Sequence, residues 1–516
     1  AAARRQRSAP RRPRTAAAVG PVLLTALVAP NVALLIASIL IWRGGRQDIT
    51  DGEAMQKMWA SYSERPTARF LALVAGGVRF GCIALRAKFA RTAEGKSEVN
   101  TRAGRRAVKE LVQLGPTYVK LGQIVSCRPD LVPDEYVEEL KRLQDEVPPF
   151  SGERAKKIIE EDVGKPIGEI FSDFSETPLA AASLGQVHRA TTIDGTQVAI
   201  KVQRDKLKEM YDLDLAQFDK VTAMLDKYNV GVQGASQKWT EIFKEAKVIL
   251  YRELDYLAEA ENTMRCYKNF EKTQWIKVPC VFEKLTTPRV LTMEYCPGIK
   301  ISDLDKLDAT AGIDRVLLGE HLAQAYLMQF CKHGFFNTDP HPGNLAVDKE
   351  SPGGRLILYD FGQACELSDS QCDGILQVIQ SIVDLDAPAC VEAMGKLGAL
   401  KEGADKGKIQ ALIENNFKTG KVKSKRSKRK KALDESAQEN AKVPKESETM
   451  KYLQLPAQLA FVARAITQLR GVGVMLDKDW EFIDCVAAKV PELQMERGAG
   501  LDYLAGQFFK NLTRED

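Results

Sequence analysis

The chain has 516 residues, of which 44% are hydrophobic and 28% charged, which is a globular composition sufficient for two to four domains. Its ten cysteines include no C-x-x-C pair, which argues against a zinc ribbon or a disulfide framework and favours a reducing compartment. Residues 1–46 hold eight arginines and residues 418–431 hold nine Lys or Arg, without an acid in either, so the net charge of +5 leaves −12 on the remainder. An acidic body with two basic appendages argues against nucleic-acid binding.

The N-terminal region predicts targeting and a membrane anchor. Residues 1–19 are rich in Ala, Arg, Pro and Ser and lack acids, which is typical of an organelle transit peptide. The following run, residues 20–42, is uncharged, and a helix of that length spans about 34 Å, enough for a bilayer core. A cleaved targeting segment or a buried hairpin is the alternative, since Pro30 lies at its centre. Residues 67–90 are also apolar but are interrupted by arginines, which favours an interfacial helix or a buried one.

A helical pattern over residues 101–147 contains the segment Lys-Leu-Gly-Gln. Lys120 and Gln123 are three residues apart and therefore share one helix face. Two prolines end this helix, and Asp134 is expected to cap the next one, over residues 135–144.

Residues 196–203 alternate as a strand, which places Lys201 on a defined face. Val-Ala-Ile-Lys is the signature of the third strand of protein kinases, whose lysine pairs with the α- and β-phosphates of the nucleotide. Where a kinase has a glycine-rich loop over the phosphates, this chain has four other small residues: Ala180, Ala181, Ala182 and Ser183. Alanine lacks the positive-φ freedom of glycine, so this loop is predicted to be stiffer while still offering backbone N–H groups.

One long helix is predicted over residues 239–270. In it Asp255, Glu259 and Asn262 fall at i, i+4 and i+7 and share a face. Glu259 is the candidate for the glutamate that pairs with Lys201 in kinases, although acids this close together on a helix are often simply solvated.

The strand at residues 290–295 ends in Glu294 and Tyr295, which is typical of a kinase hinge whose backbone binds adenine. Residues 316–332 then predict a helix that leads into the next loop.

That loop carries Asp339 and Asn344, in a segment whose two prolines and glycine forbid a regular helix. Residues 345–347 and 356–359 flank a Ser-Pro-Gly-Gly turn and predict a β-hairpin, after which Asp360 opens an Asp-Phe-Gly sequence. Kinases present D-x-x-x-x-N, a hairpin and D-F-G in this order. The alternative is a loop and hairpin with ordinary Asx turns.

This pattern assigns a role in phosphoryl transfer to each residue. Lys201, held by Glu259, would orient the phosphates of ATP, and Asn344 and Asp360 would hold Mg²⁺. Asp339 would accept a proton from the incoming hydroxyl or water.

The C-terminal part has no A-P-E sequence after Gly362, and a helical pattern resumes at about Ser368. Residues 401–449 are polar and basic and predict a disordered insertion. An amphipathic pattern returns within residues 450–516 and is expected to complete the fold.

Together these segments resemble the UbiB/ADCK family of atypical kinases over roughly residues 95–400 and 450–490. The matching motifs are K-L-G-Q at 120–123, A-A-A-S at 180–183, V-A-I-K-V-Q at 198–203, E-L-D-Y-L-A-E-A at 253–260, N-T-D-P-H-P-G-N at 337–344 and Y-D-F-G at 359–362. The resemblance implies an α+β, bilobal, protein-kinase-like fold with an N-terminal helical extension, besides the predicted transmembrane helix.

The resemblance also implies that the K-x-G-Q helix lies over the nucleotide pocket with the E-x-D acids facing its lysine. Carried over, this pairs Lys120 with Glu253 or Asp255. It further implies ATP and Mg²⁺ as cofactors, ATPase or small-molecule kinase activity, and a role in isoprenoid-quinone metabolism on membranes. The order D-F-G-Gln-Ala-Cys and the transit-like N-terminus look most like the plastid branch, which points to plastoquinone and tocopherol.

These considerations give the expected domains: a basic tail (1–19), a transmembrane helix (20–46), a helical linker (47–100), the K-x-G-Q extension (101–165), a kinase-like N-lobe (166–295) and C-lobe (296–400), the insertion (401–449) and C-terminal helices (450–516). The expected partners are ATP, membrane lipids or prenylquinones and membrane proteins, not nucleic acid. The expected location is a chloroplast membrane (thylakoid, envelope or plastoglobule) with the kinase body in the stroma, or alternatively the mitochondrial inner membrane.

Two functions remain open from the sequence. The first is an ATP-consuming enzyme that acts on or beside a membrane lipid. The second is a nucleotide-gated lipid- or protein-binding scaffold in which hydrolysis is incidental.

Overall fold

A computed structural model describes residues 48, 51–76, 92–126, 132–144, 147–227, 238–418, 452–454 and 456–498. The chain divides into two compact units. Unit 1 comprises residues 1–169, 173–189 and 201–254, and unit 2 comprises residues 170–172, 190–200 and 255–516. The predicted transmembrane helix lies outside the described residues.

The helices are α1 Gly52–Ser63, α2 Ala93–Leu114, α3 Pro116–Ser126, α4 Asp134–Leu140, α5 Gly152–Val163, α6 Ile167–Ile170, α7 Leu207–Lys227, α8 Trp239–Arg252, α9 Tyr256–Phe270, α10 Leu304–Ala309, α11 Arg315–Met328, α12 Asp369–Asp384, α13 Ala387–Lys396, α14 Lys406–Lys418, α15 Ala457–Leu476, α16 Phe482–Val486 and α17 Val490–Glu496. The strands are β1 Phe171–Phe174, β2 Ala180–Ala181, β3 Gly185–Thr192, β4 Gln197–Gln203, β5 Ile276–Lys277, β6 Val290–Glu294, β7 Ile299–Lys300, β8 Phe335–Asn337, β9 Leu345–Asp348, β10 Arg355–Leu358 and β11 Ala364–Glu366. Residues 66–76 are also helical.

Unit 1 is mainly helical, and its core gathers apolar side chains from α1, α3, α7 and α8, such as Trp59, Val119 and Leu250. Between α2 and α3 the chain turns at Gly115, whose φ of 106° is a left-handed conformation that favours glycine. The predicted cap at Asp134 is wrong. That residue is the first of α4, and Pro133 occupies the cap position without a side-chain hydrogen bond.

Unit 2 is built around α11, which packs against α15 and α16. Buried side chains of α11, among them Leu318, Leu322 and Tyr326, belong to one large core. A four-stranded sheet has the order β5–β10–β9–β7, and β8 pairs with β11 in a two-stranded sheet. The predicted hairpin is confirmed, since β9 and β10 pair antiparallel with Leu345 opposite Leu358. The larger sheet has the order β1–β3–β4–β6, with β2 paired to β3.

Two predicted segments differ in the structure. The helix predicted over 239–270 is broken between α8 and α9, because the Asp255 side chain accepts hydrogen bonds from the N–H groups of Leu257 and Ala258 and caps α9. The predicted disordered insertion begins too early. Residues 401–418 are described and include α14, which buries Ile409 and Phe417, whereas residues 419–449 lie outside the described residues.

Among the described helices, the stretch Gln458–Leu476 of α15 is long and apolar enough to cross a membrane. In unit 2 its buried side chains, among them Val462, Ala465 and Leu469, belong to the core beside α11. The structure therefore gives this helix a packing role within the unit.

Candidate functional site

The loop after β8 holds two of the predicted residues through one side chain that sequence reasoning missed. Asn337 is buried at the end of β8. Its Nδ2 donates to the carbonyl oxygen of Asp360 at 2.7 Å, and its Oδ1 accepts from the backbone N–H of Asp339 at 2.7 Å. A single amide therefore fixes the backbone of Asp339 relative to that of Asp360.

The hairpin brings Asn344 to the same place. Leu345 and Leu358 are opposite each other at the base of β9 and β10, so Asn344 and Asp360 leave the hairpin from the same end. The N–H of Tyr359 donates to the carbonyl oxygen of Asn344 at 3.1 Å and extends the pairing by one step. The register therefore places the two predicted magnesium ligands close together in unit 2.

A third oxygen donor lies beside them. A Cβ built on Gly362 would be 3.3 Å from Oδ1 of Asp360 and 3.4 Å from Oε2 of Glu259, which is buried in α9. Asn262, one turn further along α9, donates to the carbonyl oxygen of Phe361 at 3.1 Å. Helix α9 thus holds the Asp-Phe-Gly segment with two side chains, and the pairing of Glu259 with Lys201 stays a prediction.

The carboxylate of Asp339 is contacted by a helix that sequence reasoning did not connect with it. Gln468 on α15 donates from Nε2 to Oδ1 of Asp339 at 2.7 Å, and Nη2 of Arg464, one turn earlier, lies 3.9 Å from the same oxygen. Burial and the negative charge of Asp339 raise the pKa of the Tyr326 hydroxyl. The candidate base therefore has a cation and an amide beside it.

Strand β4, which carries Lys201, has the predicted alternation. Val198, Ile200 and Val202 are buried, whereas Lys201 is half-buried on the opposite face of β4.

The Ala-Ala-Ala-Ser segment forms a tight hairpin instead of an open loop. Ala180 and Ala181 pair with β3, and the N–H of Ala182 donates to the carbonyl oxygen of Gly185 at 2.8 Å. Gln186, on β3, extends this arrangement because its side chain exchanges hydrogen bonds of 2.9 and 3.0 Å with the backbone of Phe150.

This hairpin is held by a second residue that the sequence did not reveal. The guanidinium of Arg204 is buried and donates to the carbonyl oxygens of Ala182 at 2.9 Å, Ser183 at 3.1 Å and Pro148 at 2.8 Å. It also lies over the ring of Trp59 in α1. The only hint in the sequence is an arginine directly after a buried strand.

The K-x-G-Q segment lies in α3, and its lysine makes one of the two contacts that the resemblance implied. Lys120 Nζ lies 2.6 Å from Oε2 of Glu253, and both side chains are largely buried. Asp255 is the exposed cap of α9, so the structure separates the two acids of the E-x-D motif. Gln123 donates from Nε2 to the carbonyl oxygen of Leu143 at 2.8 Å, which ties α3 to the turn after α4.

The polar groups of the predicted hinge form hydrogen bonds and an ion pair within the protein. The carboxylate of Glu294 accepts from Lys277 at 2.7 Å and from the N–H of Cys280 at 3.3 Å. The N–H of Tyr295 donates to the carbonyl oxygen of Gln197 at 3.2 Å. A role for these two residues in adenine binding stays a prediction.

The donor set of unit 2 fits magnesium. Asp360, Asn344 and Glu259 offer carboxylate and amide oxygens, the hard donors that Mg²⁺ prefers together with substrate phosphates. Within the described ranges no group of three His, Cys, Asp or Glu could hold a metal ion. A site that combines one or two carboxylates with an amide and phosphate oxygens is consistent with this finding.

Comparison with known proteins supports the motifs. A model of the ABC1 atypical kinase-like domain matches residues 142–394. The chain is 41% identical to an uncharacterised protein of Synechocystis sp., with 79% of this chain and 67% of that protein covered. It is 36% identical to the chloroplastic protein ACTIVITY OF BC1 COMPLEX KINASE 8 of Arabidopsis thaliana, with 79% of this chain and 56% of the relative covered.

A probable protein kinase UbiB of Marinobacter nauticus is 38% identical, with 49% of this chain and 46% of that protein covered. The chain thus spans about half the length of these two named relatives. The kinase-like fold expected from the sequence is confirmed, with mixed helices and sheets. The chain belongs to the ABC1/UbiB family of atypical kinases, and its chloroplastic relatives fit a plastid-type branch of that family.

Proposed function

We propose that this chain binds Mg-ATP and transfers the γ-phosphoryl group to a small acceptor or to water. The observation that carries the proposal is the Asn337 amide, which holds the backbones of Asp339 and Asp360 together at 2.7 Å on each side. A loop that served only as a connection would not need a buried amide to fix two carboxylate-bearing residues. Phosphoryl transfer does need such positioning, because its catalysis is mostly orientation and electrostatics.

Each residue then has a role. Asn344 and Asp360 hold magnesium, which when bound neutralises charge on the phosphates. Lys201 orients the α- and β-phosphates, with Glu259 as its partner, and Asp339 accepts the proton of the attacking hydroxyl or water. The Ala180–Ser183 hairpin covers the phosphates, and the backbone at Glu294 and Tyr295 binds adenine.

The test is the Asp360→Asn variant, since it removes only the charge at the proposed metal site. We expect the variant to unfold near the wild-type temperature but to lose the thermal shift that Mg-ATP gives the wild type. Asp479→Asn, an exposed carboxylate change in the same unit, is the control and should keep the full shift. An unchanged Mg-ATP shift in Asp360→Asn would rule out Asp360 as the metal ligand.

A nucleotide-gated scaffold is the second candidate, and the Lys120–Glu253 pair favours it. A buried ion pair that joins α3 to the end of α8 can hold a lid in one position, so that nucleotide binding would control partner or lipid docking. Labelled ATP distinguishes the candidates. Transfer of label to an identified acceptor favours the enzyme, whereas nucleotide-dependent binding without turnover favours the scaffold.

We further propose that the protein works at a plastid membrane in prenylquinone or tocopherol metabolism. The support is that relatives 36% identical to this chain are named as chloroplastic. Deleting residues 1–46 should release the protein from membranes, and lipid profiles of a strain lacking it should show which prenyl lipid changes. Carbonate-resistant binding of the truncated protein would contradict the anchor.

A further inference from the structure

We propose that Arg464 on α15 binds the γ-phosphoryl group during its transfer, and that Gln468 on the same helix positions Asp339. This inference rests on the proposed phosphoryl transfer and adds a binding site for the transferred group. It gives α15 a part in the chemistry. The sequence motifs do not assign this part, and the match to the family model ends before α15, at residue 394.

The geometry places both side chains at one oxygen. Gln468 Nε2 is 2.7 Å from Oδ1 of Asp339, an ordinary hydrogen bond, while Arg464 Nη2 is 3.9 Å away, at the outer limit of an ion pair. Residues 464 and 468 are one helical turn apart and therefore face the same way. The amide holds the carboxylate, and the guanidinium remains loose enough to engage another anion.

Two buried polar atoms beside this carboxylate have no partner within the described ranges: Nε of Arg464 and Oε1 of Gln468. Leaving a buried donor or acceptor unpaired is unfavourable, so such atoms point to a missing ligand. Arg464 Nε needs an acceptor and Gln468 Oε1 needs a donor. A phosphoryl oxygen satisfies the first. The second O–H of an attacking water, or a neighbouring hydroxyl of an alcohol acceptor, satisfies the second.

The sequence around Asp339 explains why the cation must come from elsewhere. Residues 333–348 contain no Lys or Arg, so the loop that carries the base has no positive charge of its own. Negative charge on the transferring phosphoryl group is spread over its oxygens. An arginine that binds these oxygens in the transition state greatly increases the rate of transfer. Arg464 supplies that cation from a point 125 residues away along the chain.

The step is balanced by the groups already named. The bond between the γ-phosphorus and the β,γ-bridging oxygen breaks, and its electron pair leaves with ADP. A bond forms between the phosphorus and the oxygen of the acceptor, whose proton passes to Asp339. Arg464 stabilises the phosphoryl oxygens throughout, and Gln468 keeps Asp339 and the acceptor O–H aligned.

The test measures how strongly aluminium fluoride increases the affinity of the full chain for Mg-ADP. Aluminium fluoride mimics the phosphoryl group in the transition state of its transfer. In Arg464→Gln we expect Mg-ADP alone to bind within about twofold of wild type, while the tightening and kcat each fall about 100-fold. Gln468→Leu should lower kcat with little change in KM, because Asp339 loses the hydrogen bond that holds its carboxylate in position. Arg470→Gln on the same helix, whose side chain lies near Glu481, is the matched control and should leave all these values unchanged.

Equal loss of Mg-ADP binding with and without aluminium fluoride in Arg464→Gln would overturn the inference, since the residue would then act on the fold or on the nucleotide. Unchanged tightening in that variant would overturn it as well. A wild-type protein that binds Mg-ADP without any tightening overturns this site but leaves the nucleotide proposal standing. A wild-type protein that binds no Mg-ADP overturns both.

Discussion

The two units hold their candidate functional groups in different ways. In unit 2, the neutral amide of Asn337 joins the backbones of Asp339 and Asp360, and main-chain pairing of the hairpin positions Asn344. In unit 1 the corresponding elements are fixed by buried charges: Arg204 grips the Ala180–Ser183 hairpin. The difference is one of chemistry: a neutral amide holds the loop in unit 2, whereas a buried cation holds the hairpin in unit 1.

Buried charges run through unit 1. Arg69 and Asp214 are fully buried and form two hydrogen bonds of 2.6 Å, and the guanidinium lies 4.9 Å from the ring centres of Tyr62 and Tyr118. Tyr118 is in α3, two residues before Lys120. Helical residues 66–76 include the first part of the segment 67–90 that was predicted to be an interfacial or a buried helix. One buried arginine ties them to the helix that carries the K-x-G-Q motif.

The largest expected effect breaks that buried pair. Arg69→Met leaves the Asp214 carboxylate without its partner in an apolar environment, so we expect a loss of about 3–5 kcal/mol in the free energy of unfolding of unit 1. The measurement is a denaturant titration followed by tryptophan fluorescence. Lys208→Met, which removes an exposed pair with Asp212, is the control and should cost less than about 0.5 kcal/mol. Equal stability of the two variants would show that the buried pair does not hold unit 1 together.

The second prediction applies the same comparison to unit 2. Asn337→Ala removes the bonds to the carbonyl oxygen of Asp360 and the N–H of Asp339, so it should cost about 2–3 kcal/mol and lower magnesium affinity. Calorimetric titration of magnesium into the protein with bound ADP gives the magnesium affinity. The control is Asn415→Ala, a change on α14 and outside this loop. This variant should keep the magnesium affinity of the wild type. Wild-type magnesium affinity in Asn337→Ala would mean that the clamp does not position Asp360.

Acid should destabilise both units, because each holds a histidine whose pKa is lowered by burial. Burial, followed by the nearby charge of Lys332, lowers the pKa of His333 in unit 2 from 6.5 to about 4, and burial also lowers the pKa of His188 in unit 1. The unfolded chain takes up these protons first, so stability is lost as the pH falls from about 6.5 towards 4 and is constant above that range. Because His333 is partly open to solvent, we expect its share to be no more than about 2 kcal/mol.

The check is to compare unfolding temperatures of the wild type and His333→Gln across this pH range. The variant should lose less stability on acidification, because the histidine that resists protonation is gone. Parallel curves for the two proteins would exclude His333 as a source of the pH dependence.

The smallest expected effect lies in the Ala180–Ser183 hairpin, which is proposed to cover the phosphates. Ala182→Gly loosens a backbone that Arg204 holds, at a cost of about 1 kcal/mol or less to stability. We expect altered nucleotide affinity and more autophosphorylation, measured with labelled ATP. Ala199→Gly, on β4, is a control for a glycine placed elsewhere. Unchanged affinity and autophosphorylation in Ala182→Gly would show that the stiffness of the hairpin does not matter.

The comparison also explains what the sequence could predict. Asp339, Asn344, the hairpin and Asp360 lie within 22 residues, so turn chemistry and strand register are enough to bring them together. The helix that begins after Ser368 was likewise predicted, because its helical pattern is a local signal, and the structure places it at Asp369–Asp384.

Long-range contacts left no such signal. Gln468 reaches Asp339 across 129 residues, and Arg204 grips a carbonyl oxygen 56 residues earlier, at Pro148. The break before α9 was missed because side-chain capping by Asp255 competes with the continuing helical pattern. Helix α14 was missed because its surrounding sequence is polar, although the helix buries two apolar side chains, Ile409 and Phe417.

The absence of an A-P-E sequence after Gly362, together with the short path to α12, leaves little chain for a peptide-binding groove. We therefore expect that protein substrates such as casein receive negligible label from ATP in the presence of this protein. Robust casein phosphorylation that is lost in Asp339→Asn would make it an ordinary protein kinase.

The most direct test of phosphoryl transfer is single-turnover reaction of γ-labelled ATP with wild type and Asp339→Asn, with Mg-ADP affinity measured on the same samples. A general base typically contributes 10²- to 10⁴-fold in rate, so we expect Asp339→Asn to bind Mg-ADP like the wild type but to release or transfer label at least about 100-fold more slowly. Turnover in Asp339→Asn at the wild-type rate would contradict the proposed role of this loop.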